Sequence, residues 1–215
     1  MPYYTDEEGV FLVKLARQAI ETYLREGKKI KPPKELPSEK LSQQNGVFVT
    51  LNKLVGERKK RKHELRGCIG YPYPIKPLVE ATIDVAIQAA VSDPRFEPVS
   101  LDEMNEIVVE VSILTPPKLL SVSDPMEYPK KIKIGRDGLI VEKGFFKGLL
   151  LPQVPVEQKW DEMMFLTWTC YKAGLPGDCW MSEDVKIYTF QAEIFEELEP
   201  RGKIVRKEIS GESHD

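Results

Sequence analysis

The chain has 215 residues, 41% of them hydrophobic and 30% charged, with a formal net charge of −3. That balance excludes a disordered tail protein and suits a globular chain with one sizeable core; interspersed charges of both signs exclude a whole-chain basic field for nucleic acid or acidic lipid. The acidic start MPYYTDEEG does not read as a signal peptide, and no apolar run approaches the roughly 20 residues of a membrane span, so a cytoplasmic protein without membrane contact is expected.

Thr5 and Glu8 form a T-x-x-E capping box ahead of Phe11, Leu15, Ala19 and Tyr23, whose spacing predicts an amphipathic helix ending at Gly27. Residues 28–44 hold prolines and charges and predict an extended surface connection. VFVTLNKLV, a charged turn and HELRGCIGYP predict an antiparallel hairpin. PLVEATIDVAIQAAV, at 77–91, predicts a largely buried helix that opens on Pro77 and stops ahead of Pro94. Ser100 and Glu103 make a second box for a short helix, and EIVVEVSILTPP reads as a strand.

IKIG, DGLIVEKG and KGLLLP predict a glycine-punctuated β-meander. WDEMMFLTWTCYKA, apolar nearly all round and closed by Gly174, predicts a buried helix. DVKIYTFQAEIF is the last strong strand, before a polar tail at 201–215 expected to fray. Hairpin-joined strands with helices between them indicate an α+β fold: a mainly antiparallel sheet with flanking helices in one continuous domain.

Cysteines at 68, 170 and 179 form neither a C-x-x-C pair nor an even framework, which predicts three free thiols. With only His63 and His214 as imidazoles, no metal or other cofactor is expected. LRGCIG at 65–70 is the candidate site. Strand alternation puts Leu65 and Ile69 on one face and Glu64, Arg66 and Cys68 on the other. A guanidinium beside a thiol favours the thiolate, the condition for a nucleophile, and Gly67 and Gly70 admit close approach of a ligand or another chain segment. The competing reading makes Cys68 a small packing residue and Arg66 the partner of Glu64, with no general base in sight.

Asp93 and Arg95 in DPRFEP either end a helix or serve a site. Gln153 and Glu157 in LPQVPVEQKW either line a pocket or cap the next helix. The run ERKKRK at 57–62 reads as a solvated turn rather than a nucleic-acid contact, since no aromatic interrupts it.

LRGCIG, DPRF at 93–96, EVSILTPP at 110–117, LLPQV at 150–154, EQKW at 157–160 and KAGLP at 172–176 resemble, in this order, the AMMECR family over residues 8–200, in its archaeal single-domain form. The resemblance implies an α+β fold of two unequal subdomains and no settled biochemical activity. It also implies association with a Memo-type protein or a radical-SAM protein, beside which members are often encoded. It places Arg66, Gly67, Cys68 and Gly70 first for testing, and Asp93, Arg95, Gln153 and Glu157 next. The resulting reading is a cleft around LRGCIG that binds a small or peptidic anionic ligand, with Cys68 as the catalytic candidate. The alternative is a non-enzymatic adaptor that docks a Memo-type or radical-SAM partner, and whether the chain is an enzyme stays open.

Overall fold

Thr5 caps the first helix as its spacing predicts. Its hydroxyl accepts the Glu8 N–H at 3.2 Å while the Glu8 carboxylate accepts the Thr5 N–H at 2.6 Å, so two donors that a helix start leaves unpaired are satisfied. This helix, α1 (Asp6–Glu26), ends where Gly27 takes a φ of 67° and donates to the Tyr23 carbonyl. The computed structural model describes residues 2–56 and 62–208; residues 57–61 of the basic run, His214 and the rest of 209–215 lie outside the described residues.

Two compact units divide the chain. One takes in the chain up to Leu114 together with Glu193–Lys207, the other Thr115–Ala192. In the first, β1 (Val47–Val55) and β2 (Lys62–Tyr71) form the expected hairpin, followed by α2 (Leu78–Val91) and β3 (Ile107–Leu114). The C-terminal part of β7 (Lys186–Glu197) and β8 (Ile204–Lys207) complete an antiparallel order β2-β1-β3-β7-β8. Alternation along β1 and β3 buries Val47, Val49, Leu51, Val109 and Val111 in one cluster with Leu12 and Ile20 of α1 and Ile83 of α2. Arg17 of α1 is buried and donates to the buried Glu197 carboxylate at 2.6 Å through Nε, and to the Ile107 carbonyl at 2.6 Å. Glu197 also accepts the Val109 N–H at 3.0 Å, so every partner of this buried ion pair is filled.

β8 corrects the expectation of a frayed tail from 201. Ile204 and Val205 are half-buried, and Arg206 and Lys207 pair with Glu193 and Glu110, which holds the segment to β7.

The second unit has the order β4-β7-β5-β6, with β4 (Lys118–Leu119), β5 (Asp137–Lys143), β6 (Phe146–Leu150) and the N-terminal part of β7. Both units are antiparallel, and the fold class is α+β. IKIG is not a strand: it follows a helical turn, α3 (Tyr128–Lys131), that begins with Pro129 in its first turn. α4 (Gln153–Glu157) and α5 (Glu162–Lys172) come next, and Gly174 follows α5 at a φ of 76°.

Two expectations fail here. α5 buries Phe165, Leu166, Thr169 and Cys170 but leaves Met163, Met164, Trp168 and Tyr171 between 42% and 53% exposed, so apolar composition overstates its burial. Cys170 and Cys179 are joined in a disulfide rather than free: the turn after α5 returns the chain until their Cα atoms are 5.9 Å apart, and the bridge sits in the core with Val141, Phe165 and Trp180.

Candidate functional site

LRGCIG lies on β2, the outermost strand of the first unit's sheet. The ladder to β1 pairs Leu51 with Gly67 but Asn52 with Leu65, so Arg66 is an extra residue in a β-bulge. Plain alternation therefore does not run through the motif. Leu65 stands opposite Asn52 and is 43% exposed, whereas Ile69 packs on the core, which corrects the expectation that the two share a face.

Arg66 is committed to partners other than the thiol. Its guanidinium donates to the Glu103 carboxylate at 2.7 and 3.1 Å and to the Glu97 carbonyl at 2.8 Å, so Glu103, not Glu64, is its partner. The Arg66 pair holds the Glu103 carboxyl below the usual carboxylate range. Arg66 ties β2 to the segment after α2, with each of its three side-chain nitrogens making a hydrogen bond.

The glycines admit the protein's own atoms. A Cβ at Gly67 would run into the Ala89 backbone carbonyl of α2, and one at Gly70 into the Phe48 ring on the neighbouring strand. These are the close approaches that the two glycines make possible.

Asp93, just past the end of α2, is buried and reaches the strand edge. Its carboxylate accepts the Cys68 N–H at 2.8 Å, the Arg95 N–H at 3.1 Å and the Arg95 side chain at 2.9 and 2.7 Å. Four acceptances fill a carboxylate. The hydrogen bonds from the Arg95 side chain, then those from the two backbone N–H groups, hold this carboxyl well below the ordinary range against the opposing effect of burial. Arg95 Nη2 also approaches the Cys68 carbonyl at 3.3 Å. DPRF thus gives Cys68 the donor and acceptor that an edge strand lacks. Phe96 lies under both guanidiniums, 5.9 Å from Arg66 and 5.4 Å from Arg95.

Cys68 stands opposite Thr50, which stands opposite Glu110. The Thr50 hydroxyl donates to Cys68 Sγ at 3.4 Å, and Glu110 accepts from Lys207 at 2.8 Å. Sequence reading missed Thr50, Glu110 and Lys207; the signal for Thr50 was a polar residue between the inward Val49 and Leu51. Burial pushes the Cys68 thiol up, and neither the Thr50 hydrogen bond nor the Arg95 charge reverses it, which opposes the thiolate expected beside Arg66.

The first unit therefore brings together Arg66, Gly67, Cys68, Gly70, Asp93 and Arg95. Gln153 and Glu157 belong to the second unit, at the two ends of α4. Gln153 Oε1 is buried without a hydrogen-bond partner among the described residues, and Glu157 is exposed. Among the described residues no three His, Cys, Asp or Glu side chains cluster as metal ligands, and no helix is long and apolar enough to cross a membrane.

The chain is 62% identical to Protein PF1979 of Pyrococcus furiosus, covering 98% of each chain, and 56% identical to Protein MJ0810 of Methanocaldococcus jannaschii, over 97% of this chain and 100% of that one. The crystal structure of the uncharacterised protein PH0010 from Pyrococcus horikoshii is similar with a TM-score of 0.79 at 62% identity, covering 95% of this chain and 98% of that one. The AMMECR1 family model matches residues 13–195, and with archaeal relatives this similar along their whole length, the chain belongs to the AMMECR1 family.

Proposed function

We propose that the first-unit site binds a small or peptidic ligand through a carboxylate or similar anionic group presented to Arg95, with Cys68 beside it as a neutral thiol. One observation carries this reading. The Arg95 side chain is 53% exposed yet fixed by an Asp93 side chain that is 2% exposed, and Arg95 Nη1 makes no hydrogen bond among the described residues. A guanidinium held in place before the ligand arrives loses little freedom on binding and keeps donors in a fixed fork. Arg66, already paired with Glu103 and the Glu97 carbonyl, is the weaker candidate for that contact. The raised thiol favours recognition over nucleophilic attack.

Cys68 is the free cysteine of the chain, so iodoacetamide labels it without mutagenesis. Acetate, succinate and tri-glutamate serve as probes. At least one should slow alkylation saturably, and Arg95→Ala should abolish that protection. Unchanged labelling rates with all three probes would remove the reading.

A second reading, the adaptor, draws on the exposed Met163, Met164, Trp168 and Tyr171 of α5. Methionine and aromatic side chains on one helix suit a protein partner, and the family resemblance suggests a Memo-type or radical-SAM protein. Co-purification with either, lost on Trp168→Ala with Tyr171→Ala, supports it. Retention of neither partner by the parent chain ends it.

A further inference from the structure

The second unit contains a cavity of about 600 Å³, a size that suits a small molecule. Its walls carry Lys133 and Arg136 from the loop after α3, Pro155 and Val156 from α4, and Lys159 and Trp160 from the connection to α5. Glu162 is the one acidic side chain in the lining. Cations outnumber it, and they differ in how they are held.

Arg136 repeats the device seen at Arg95. The buried Asp137 carboxylate accepts Arg136 Nε at 2.8 Å and Nη2 at 2.6 Å, and also the Lys133 N–H at 2.9 Å, which closes the loop on itself. The Arg136 side chain stays 47% exposed. Lys133 and Lys159 are exposed and have no ion-pair partner among the described residues, so their charge is not neutralised within the protein. Lys159 also takes a φ of 56°, a left-handed conformation that a glycine adopts at lower cost. Keeping a lysine there retains a cation at the expense of backbone comfort. Trp160 stacks on Trp168 with ring centroids 5.2 Å apart and planes 2° from parallel, so a fixed aromatic ring stands beside the cations.

We propose that this cavity binds a small organic phosphate that carries a flat ring. Lys133, Lys159 and Arg136 take the phosphate, and Pro155, Val156 and Trp160 take the ring. Two unneutralised ammoniums beside a fixed guanidinium match the charge of a phosphate chain, and the apolar side of the cavity matches a base. The site lies wholly in the second unit and does not depend on the reading of the LRGCIG motif.

ADP is the probe, read by tryptophan fluorescence and by calorimetry. ADP should bind saturably below about 1 mM, with an affinity that falls as salt rises, while adenosine, which lacks the charge, gives no saturable signal. Lys133→Ala and Lys159→Gly should each weaken ADP by about tenfold. Lys159→Gly should do so with an unchanged or higher Tm, because glycine relieves the left-handed backbone; a folding defect is thereby distinguished from a lost contact. Glu162→Gln should tighten ADP. The proposal is overturned by any of three results: no saturable ADP signal up to about 10 mM, ADP affinity indifferent to both lysine changes, or citrate binding more tightly than ADP.

Discussion

The Asp93 carboxylate accepts the backbone N–H of Cys68 at 2.8 Å, which joins two sequence motifs 25 residues apart through a main-chain atom. Any residue at 68 other than proline can supply that bond. Asp93 recognises the edge of the strand, while Arg95, fixed by the same carboxylate, faces outward.

Replacing Asp93 by Ala should therefore destabilise the first unit by about 2–3 kcal/mol, since it leaves the Cys68 N–H and the Arg95 guanidinium without their acceptor. The acid sensitivity has a definite sign. The folded carboxyl sits below its unfolded value, so its contribution is fully present above about pH 5 and is lost as the pH falls through about 4 towards the folded value. Urea denaturation from pH 7 to pH 3 should show a smaller acid loss for Asp93→Asn than for the parent chain. Equal losses would mean that Asp93 is not held by Arg95 in solution.

Cys68 should label slowly at neutral pH, with a midpoint above the ordinary thiol value of about 8.5, because burial raises it. Arg95 acts in the opposite direction on the thiol, and its removal also exposes Cys68 to the uncompensated Asp93 charge. Arg95→Ala should accordingly move the midpoint higher still. A midpoint near 7 would restore Cys68 as a nucleophile candidate.

Gly67→Ala is expected to cost about 3 kcal/mol, because the added methyl meets the Ala89 carbonyl on the rigid backbone of α2 rather than a movable side chain. Gly70→Ala meets the Phe48 ring, which can turn, and should cost less. Thermal denaturation of the two variants tests the order, and the reverse order would place α2 farther from β2.

Removing the Cys170–Cys179 bridge by a double change to serine should lower the stability of the second unit by about 2–3 kcal/mol, the expected cost of releasing a loop with a sequence separation of 9. Mass spectrometry of the unreduced chain should find one alkylatable thiol, not three. Three would return the chain to the free-thiol expectation.

α1, the β1–β2 hairpin, α2 and β3 were legible because caps and apolar periodicity repeat over many residues and each was read with its boundary nearly right. The bulge was not, since one extra residue at Arg66 leaves no periodic trace, and a face assignment based on alternation inverts on one side of it. Arg66 and Cys68 were read as a cation and thiol pair, but the cation whose charge acts on the thiol is Arg95, which only the fold brings near. The disulfide escaped because its cysteines share no short motif and their approach depends on the turn after α5. Exposure on α5 escaped for a related reason: composition reports what a helix is made of, not which side another element covers.

The extra residue at Arg66 turns LRGCIG into a rule about length as well as letters. With Gly67 against α2 and Cys68 opposite Thr50, inserting or deleting one residue between Gly67 and Tyr71 would exchange the two sides of the strand, drive the thiol towards the Ala89 carbonyl and turn its neighbours outward. Evolutionary drift in this stretch is consequently cheaper by replacement than by frame. A redesigned motif that keeps the spacing and changes Cys68 retains the architecture, whereas one that keeps every letter and adds a seventh does not.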